Sequence, residues 1–380
     1  MTTEPQESRP AGRRRSRRWI HLPASRPRQV AFVGVYLLFC LALVLVGSRL
    51  FWKVRADVPL TETAFIWDCF YPEIRRSKVE QASTRHADGY FDVLLLGGSV
   101  LEPSWGTIES ELTSKLRTEL PNAFRVFNLG HAAHTSRDSL IKYQHLAAEE
   151  FELVIVYDGI NDVRMNYCPA EDFRDDYSHF AWYRSVQRRI ARGEMKIPAG
   201  MIDPALMVQT VISAEQVNEW RVKIGSEVRT TRTLRSNLEN IVDLSASRGD
   251  SLILLTFACD IPAEYAREKF ANHELAYGAG RNNACGAELW GRPEYVAAAV
   301  DAQNVAIRDL AAHNPNVVCV DQDRLLPKQQ RLFADPCHLT DKGCRRFVDH
   351  LWPAVERRIE AWKDMHGRGQ RVLSRAPEAG

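Results

Sequence analysis

No two of the eight cysteines form a Cys-x-x-Cys pair. A structural zinc site usually draws on such pairs, so none is expected. The chain also lacks an internal repeat, which excludes a solenoid or a propeller. Basic character is missing from most of its length. The formal net charge is +2, yet residues 1–28 hold eight arginines against two glutamates, a surplus of +6 that leaves −4 for the remainder. That remainder offers no basic face for nucleic acid, and nucleic acid is not expected as a partner. The hydrophobic share of 45% and charged share of 26% are those of an ordinary globular protein. A chain of 380 residues has room for one large domain with additions.

What the chain does have, directly after the arginines, is the charge-free run "QVAFVGVYLLFCLALVLVGS", 20 residues from 29 to 48. As a helix it matches a hydrocarbon core about 30 Å thick. The expectation is a transmembrane anchor over 29–52. Arginine resists translocation, so the basic segment 1–28 with "RRRSRRW" stays cytoplasmic and the rest lies outside the cytoplasmic membrane. A cleaved signal peptide competes with this reading: Val54-Arg55-Ala56 resembles a cleavage site, and "SRRWIHL" faintly resembles a twin-arginine signal. A buried helix of a soluble protein is the third reading. Cys40 lies in the run, and Cys319 in "NPNVVCVD" reads as a small buried hydrophobe. Some of Cys69, Cys168, Cys259, Cys285, Cys337 and Cys344 can pair in an oxidising compartment. Sequence does not give the connectivity.

After a polar, irregular connector (53–90), strand and helix patterns alternate. "FDVLLLGG" is apolar without interruption, as in a strand covered on both faces. "TIESELTSKLRTEL" has Ile108, Leu112 and Leu116 at helical spacing. The strand "FRVFNLG", the helix "SRDSLIKYQHLAAEE" and the strand "ELVIVYDG" follow. Then come an insertion at about 163–228, the helix "RTLRSNLENIVDLSASRG" and a fourth strand, "DSLILLTFA". A second insertion (about 260–292), the helix "PEYVAAAVDAQNVAIRDLAAH", a fifth strand "NVVCVD" and a closing amphipathic helix complete the domain. It spans 91–363, with a disordered-looking tail at 364–380. The alternation implies a mainly parallel five-stranded sheet between helical layers. Ligands of such sheets bind beyond the C-terminal strand ends.

The small and polar residues gather at those ends. Ser99 follows the first strand, at a corner that is either a plain turn or the seat of a nucleophile. A serine nucleophile needs a base and a group to orient that base. Asp335 and His338 in "FADPCHLTDKGC" are the candidates; their other reading is a surface pair or a helix cap. The amides of Ser99 and Gly130 and the side chain of Asn161 can supply an oxyanion hole, where each key donor contributes about 3 to 4 kcal/mol. Singly, Gly130 also reads as a strand-end turn and Asn161 as an Asx-turn.

In order, "GGSV", "NLGHAAH", "YDGINDV" and "DPCHLTDKG" resemble the four blocks of the SGNH hydrolases, the GDSL-like esterase/lipase superfamily. The resemblance covers roughly residues 91–363 without the insertions. It implies an α/β three-layer α/β/α fold with a flavodoxin-like parallel sheet. It makes Ser99 the nucleophile, His338 the general base and acid, and Asp335 its orienter. Ser99, Gly130 and Asn161 become the oxyanion donors. No metal and no cofactor are implied. The first block departs from the usual Gly-Asp-Ser: Gly98 stands where the aspartate would be, which puts the local hydrogen bonding in question.

The expected activity is that of an extracytoplasmic, membrane-anchored serine esterase acting on an acyl ester through an acyl-enzyme. The rivals are an O-acyltransferase that modifies envelope glycans with the same residues, and a non-catalytic envelope binding protein. An envelope glycan or lipid is the partner that suits the anchor. Other residues carry weaker readings. His131 and His134 are imaginable metal ligands with His338. Asp162 ties the third-block loop together. Trp105 either lines the pocket or packs. Arg184, Arg188, Arg189 and Arg192 form a solvated face or a basic lip. A Cys337–Cys344 bridge would brace His338.

Overall fold

Short, mainly apolar runs form the centre of the molecule. The structure, a computed structural model, describes residues 26–56, 60, 63–65, 67, 70–191, 196–198, 227–328 and 331–373. The arginine block up to residue 25, much of the first insertion (199–226), Cys69, Arg192 and the end of the chain from 374 lie outside these residues. Five strands, β1 (Phe91–Gly97), β2 (Phe124–Asn128), β3 (Leu153–Tyr157), β4 (Ser251–Leu255) and β5 (Val317–Val320), make one sheet. Its order is β2-β1-β3-β4-β5, and every neighbouring pair is parallel. The connections reverse direction between β1 and β3, so a crevice opens above the C-terminal ends of those two strands.

Alternate side chains of β1 reach opposite faces, and both faces are covered, which is why its sequence is apolar but for Asp92. On one face Val93 and Leu95 pack with Leu112 and Leu116 of α2 (Ile108–Glu119) and with Phe347 and Leu351 of α6 (Asp341–Leu373). On the other face Leu94 and Leu96 meet Leu140 of α3 (Ser136–His145) and Leu234 and Leu238 of α4 (Thr230–Arg248). Helix α5 (Pro293–His313) adds residues to both clusters. Each fully buried aliphatic side chain contributes about 1.5 to 3 kcal/mol. The one charge on the inner strand, Asp92, lies opposite Arg125 of β2 and accepts its Nε–H at 2.6 Å.

Helix ends follow local chemistry. Thr135 caps α3, accepting from Arg137 N, and Asp138 returns a bond to the Thr135 amide in a capping box. Gly249 closes α4 with φ +80°, a conformation glycine adopts without strain. The closing helix runs on past residue 363, through Pro353, to Leu373. The segment 364–373 is therefore helical, where the sequence suggested a disordered tail.

The connector also differs from the expectation. Helix α1 (Arg26–Ala56) carries a stretch, Pro27–Val54, long and apolar enough to cross a membrane by length and composition. Its far end is part of the domain: Trp52 is 1% exposed and lies in one cluster with Phe70, Tyr71, Ile74 and Leu140. Beyond it, Thr63–Phe65 pairs antiparallel with Lys196–Pro198, and Pro72–Ser77 and Val79–Ala82 are short helices. The aromatic content of "FIWDCFYPEI" accounts for the order: residues read as a polar linker bury Phe70, Tyr71 and Ile74 against α3.

Candidate active site

Ser99 sits two residues beyond the last residue of β1, in the turn that leads away from the sheet. Its hydroxyl lies 2.7 Å from His338 Nε2, and His338 Nδ1 lies 2.7 Å from Asp335 Oδ2. A carboxylate only accepts. It therefore places the imidazole proton on Nδ1 and leaves Nε2 as acceptor for the serine hydroxyl. The loop 335–338 folds around the acid: Asp335 Oδ1 takes the amides of Cys337 (2.9 Å) and His338 (2.8 Å), and Oδ2 takes the amide of Cys285 (2.9 Å). Burial alone would raise the Asp335 carboxyl. His338 and the Cys285 and His338 amides outweigh it and hold the group below the usual carboxylate range. The dyad is shielded, with Ser99 6% and His338 4% exposed.

Asn161 approaches from the end of β3. Its Nδ2 donates to the His134 carbonyl at 2.9 Å, and its Oδ1 accepts the indole N–H of Trp290 at 3.0 Å. One of its two amide hydrogens is thus spoken for and the second is left over. Among the described residues the Ser99 backbone N–H has no acceptor. The third expected donor is placed differently: Gly130 N–H donates to Asn128 Oδ1 at 2.8 Å. An amide has a single hydrogen, so Gly130 reaches an oxyanion only by leaving or sharing that bond.

The departure in the first block has a steric cause here. A Cβ at Gly98 would lie 2.7 Å from Asn161 Nδ2 and 3.3 Å from the His134 carbonyl. The bare backbone at 98 admits the Asn161 amide to the serine turn, and an aspartate cannot stand there without moving it.

The neighbouring candidates separate by their contacts. Asp162 accepts from Ser136 N (2.9 Å), Ser136 Oγ (2.6 Å) and Tyr177 OH (2.7 Å), which ties the third-block loop to α3 and the first insertion. His131 faces Glu102 at 3.5 Å. His134 lies by Lys142 (3.2 Å) and Glu73 (3.4 Å) in a buried polar cluster, and neither histidine joins His338 in a ligand set. Among the described residues, Cys285, Asp335 and His338 alone group donor atoms within 4.8 Å; Asp335 and His338 are bonded to each other and His338 to Ser99. Trp105 stacks on His338 with 4.0 Å between ring centroids. Arg184 turns back onto the carbonyl of Ser178 at 3.1 Å, Arg188 is exposed, and the side chains of Arg189 and Arg192 lie outside the described residues. Cys337 and Cys344 are free thiols, so the brace on His338 is the set of amides around Asp335 and not a disulfide.

Two participants escaped the sequence reading, Trp290 and the Cys285 amide, both from the second insertion. A backbone N–H carries no residue signature. Trp290 stands in a stretch with neither helical nor strand periodicity.

No family model matches the chain, and no curated protein does. Among solved structures it is similar to an acetyl xylan esterase, at 14% identity over 70% of this chain and 99% of that one, TM-score 0.39. It is also similar to an acetylxylan esterase from Geobacillus stearothermophilus, at 14% identity over 70% of this chain and 93% of that one, TM-score 0.39. A third is a GDSL-like lipase from Bacteroides thetaiotaomicron, at 14% identity over 76% of this chain and 98% of that one, TM-score 0.41.

Proposed function

We propose that the chain is a serine ester hydrolase of the SGNH kind, held at the cytoplasmic membrane by α1 with its catalytic domain outside. The observation that carries the reading is the continuous relay from Ser99 through His338 to Asp335, 2.7 Å at each step.

In the first half-reaction Ser99 Oγ attacks the ester carbonyl while His338 Nε2 takes its proton. The developing oxyanion lies against the Ser99 N–H and the second Asn161 amide hydrogen. Collapse of the tetrahedral intermediate expels the alcohol, which leaves with the proton from His338. In the second half-reaction His338 deprotonates a water, which attacks the acyl-enzyme and frees the acid and Ser99. Asp335 stays ionised throughout, stabilising the imidazolium formed in each half.

Transfer to a glycan hydroxyl uses the same groups and differs only in what attacks the acyl-enzyme. Water and a sugar hydroxyl would compete for the same acyl-enzyme, and which of them reaches it separates the two readings. An acyl ester of an envelope glycan or lipid suits both.

The test uses the full chain in detergent, p-nitrophenyl acetate and a fluorophosphonate probe. Label on Ser99, with turnover lost in Ser99→Ala, is the expected result. Full turnover in Ser99→Ala would remove Ser99 as the nucleophile. With sugar hydroxyls added, acetyl found on the sugar would mean transfer, and release as acetate would mean hydrolysis.

A further inference from the structure

The second insertion (about 260–292) grips the site at several points. Gly278 N donates to Phe333 O at 2.8 Å, Asp260 N to Pro336 O at 2.9 Å and Cys285 N to Asp335 Oδ2 at 2.9 Å. These three bonds hold the loop that carries Asp335 and His338. Asn282 Nδ2 donates to Ser104 O at 3.0 Å, reaching the turn beyond the nucleophile. The remaining grip is Trp290 Nε1 on Asn161 Oδ1, at 3.0 Å and fully buried.

A side-chain amide has one donating and one accepting end of nearly equal shape. Turned by 180°, Asn161 would aim a carbonyl oxygen at the developing oxyanion and repel it. The partners here fix the orientation by their chemistry. An indole N–H can only donate, and a peptide carbonyl such as that of His134 can only accept. Trp290 therefore takes the oxygen end, His134 takes one hydrogen of the nitrogen end, and the other hydrogen faces the serine turn. Gly98, lacking a Cβ, leaves the amide the space to do so.

We propose that Trp290 is a positioning residue for the oxyanion hole: its N–H locks the Asn161 amide in the donating orientation, so the second insertion completes the catalytic centre and does not merely cover it. The proposal rests on the serine-hydrolase reading above. Removing the indole N–H leaves the amide free to turn, and the cost falls on the transition state, not on substrate binding.

The experiment is a double-mutant cycle on the full chain with p-nitrophenyl acetate, using Trp290→Phe, Asn161→Ala and the pair. Trp290→Phe is expected to lower kcat about tenfold to a hundredfold, below the cost of losing an oxyanion donor outright, with KM nearly unchanged. In the Asn161→Ala background the same change should have almost no further effect, since there is no amide left to orient. Equal losses in both backgrounds would overturn the proposal and leave Trp290 a packing residue, as would an unchanged kcat in Trp290→Phe alone. Should Trp290→Phe fail to fold, site-specific replacement of Trp290 by its sulfur isostere, which lacks only the N–H, makes the same measurement. Ser99→Ala separates the two levels. If it retains turnover the hydrolase reading fails, whereas loss of turnover there with an additive cycle defeats only the role of Trp290.

Discussion

The indole of Trp105 lies flat on the imidazole of His338, with 4.0 Å between ring centroids and 19° between planes. The sequence offered pocket lining or packing for Trp105, and the contact gives it a third part. In the proposed mechanism an imidazolium forms whenever His338 holds the serine proton, and an aromatic face stabilises a desolvated cation by up to about 2 kcal/mol. Trp105→Leu keeps an apolar side chain and loses that face. Its kcat on p-nitrophenyl acetate should fall about tenfold or somewhat more, with the melting temperature nearly unchanged. Unaltered turnover would show that the stack only packs.

Two adjacent glycines should fail in different ways. A Cβ at Gly97 would come within 2.4 Å of the Tyr157 carbonyl, inside the β1–β3 ladder, whereas a Cβ at Gly98 would press on the Asn161 amide at 2.7 Å. Gly97→Ala should therefore appear as lost stability, because backbone cannot step aside. Gly98→Ala should leave the fold intact and lower kcat about tenfold to a hundredfold by displacing an oxyanion donor. Thermal melts alongside turnover numbers check both. A Gly98→Ala variant with full turnover would detach Asn161 from the chemistry.

Behind the third-block loop, burial followed by the charge of Asp162 pushes the Asp158 carboxyl up to about 7. Burial likewise lifts Asp162 to about 6. Unfolded, each titrates near 3.9. Between those values the folded chain keeps a proton that the unfolded chain has released, so raising the pH costs stability. The slope is up to about 1.4 kcal/mol per pH unit for each group. Asp335 works in the other sense. Its carboxyl is held down, and the stability it supplies is lost only as pH falls below about 4. Stability should accordingly rise from pH 7.5 to 5.5, and Asp158→Asn should flatten the dependence. Denaturation at three pH values across that range decides it; an unchanged slope in Asp158→Asn would mean that another group sets it.

The strands and the reacting side chains were legible for physical reasons. A parallel strand buried on both faces has to be mostly apolar, as "FDVLLLG" is apart from Asp92. The roles proposed for Ser99, Asn161 and His338 need side chains that only a few residue types provide. The backbone donor expected at Gly130 was less accessible. Gly130 has the expected position, but Asn128 two residues earlier takes its N–H, and sequence does not say which acceptor a backbone amide chooses. The connector reads as polar because charged residues outnumber its aromatics locally, although Phe70, Tyr71, Ile74 and Val79 reach the core. The insertions were visible as interruptions of the alternation. That one of them reaches both the carboxylate and the Asn161 amide depends on contacts between residues far apart in sequence, 50 positions for Cys285 with Asp335 and 129 for Trp290 with Asn161.

The burial of Trp52 turns α1 from a leash into a post. With Trp52 packed among Phe70, Tyr71 and Ile74, the domain is tied to the helix at residue 52 and not hung from a loose hinge at residue 53. If α1 spans a bilayer, the serine turn stands at one set height above the lipid and sweeps a ring around the helix axis. Such an enzyme draws on substrates presented at that height and has little reach for those diffusing far from the membrane. A peptidase cut at Ala56 would do more than release the domain: it would pull a tryptophan out of its interior.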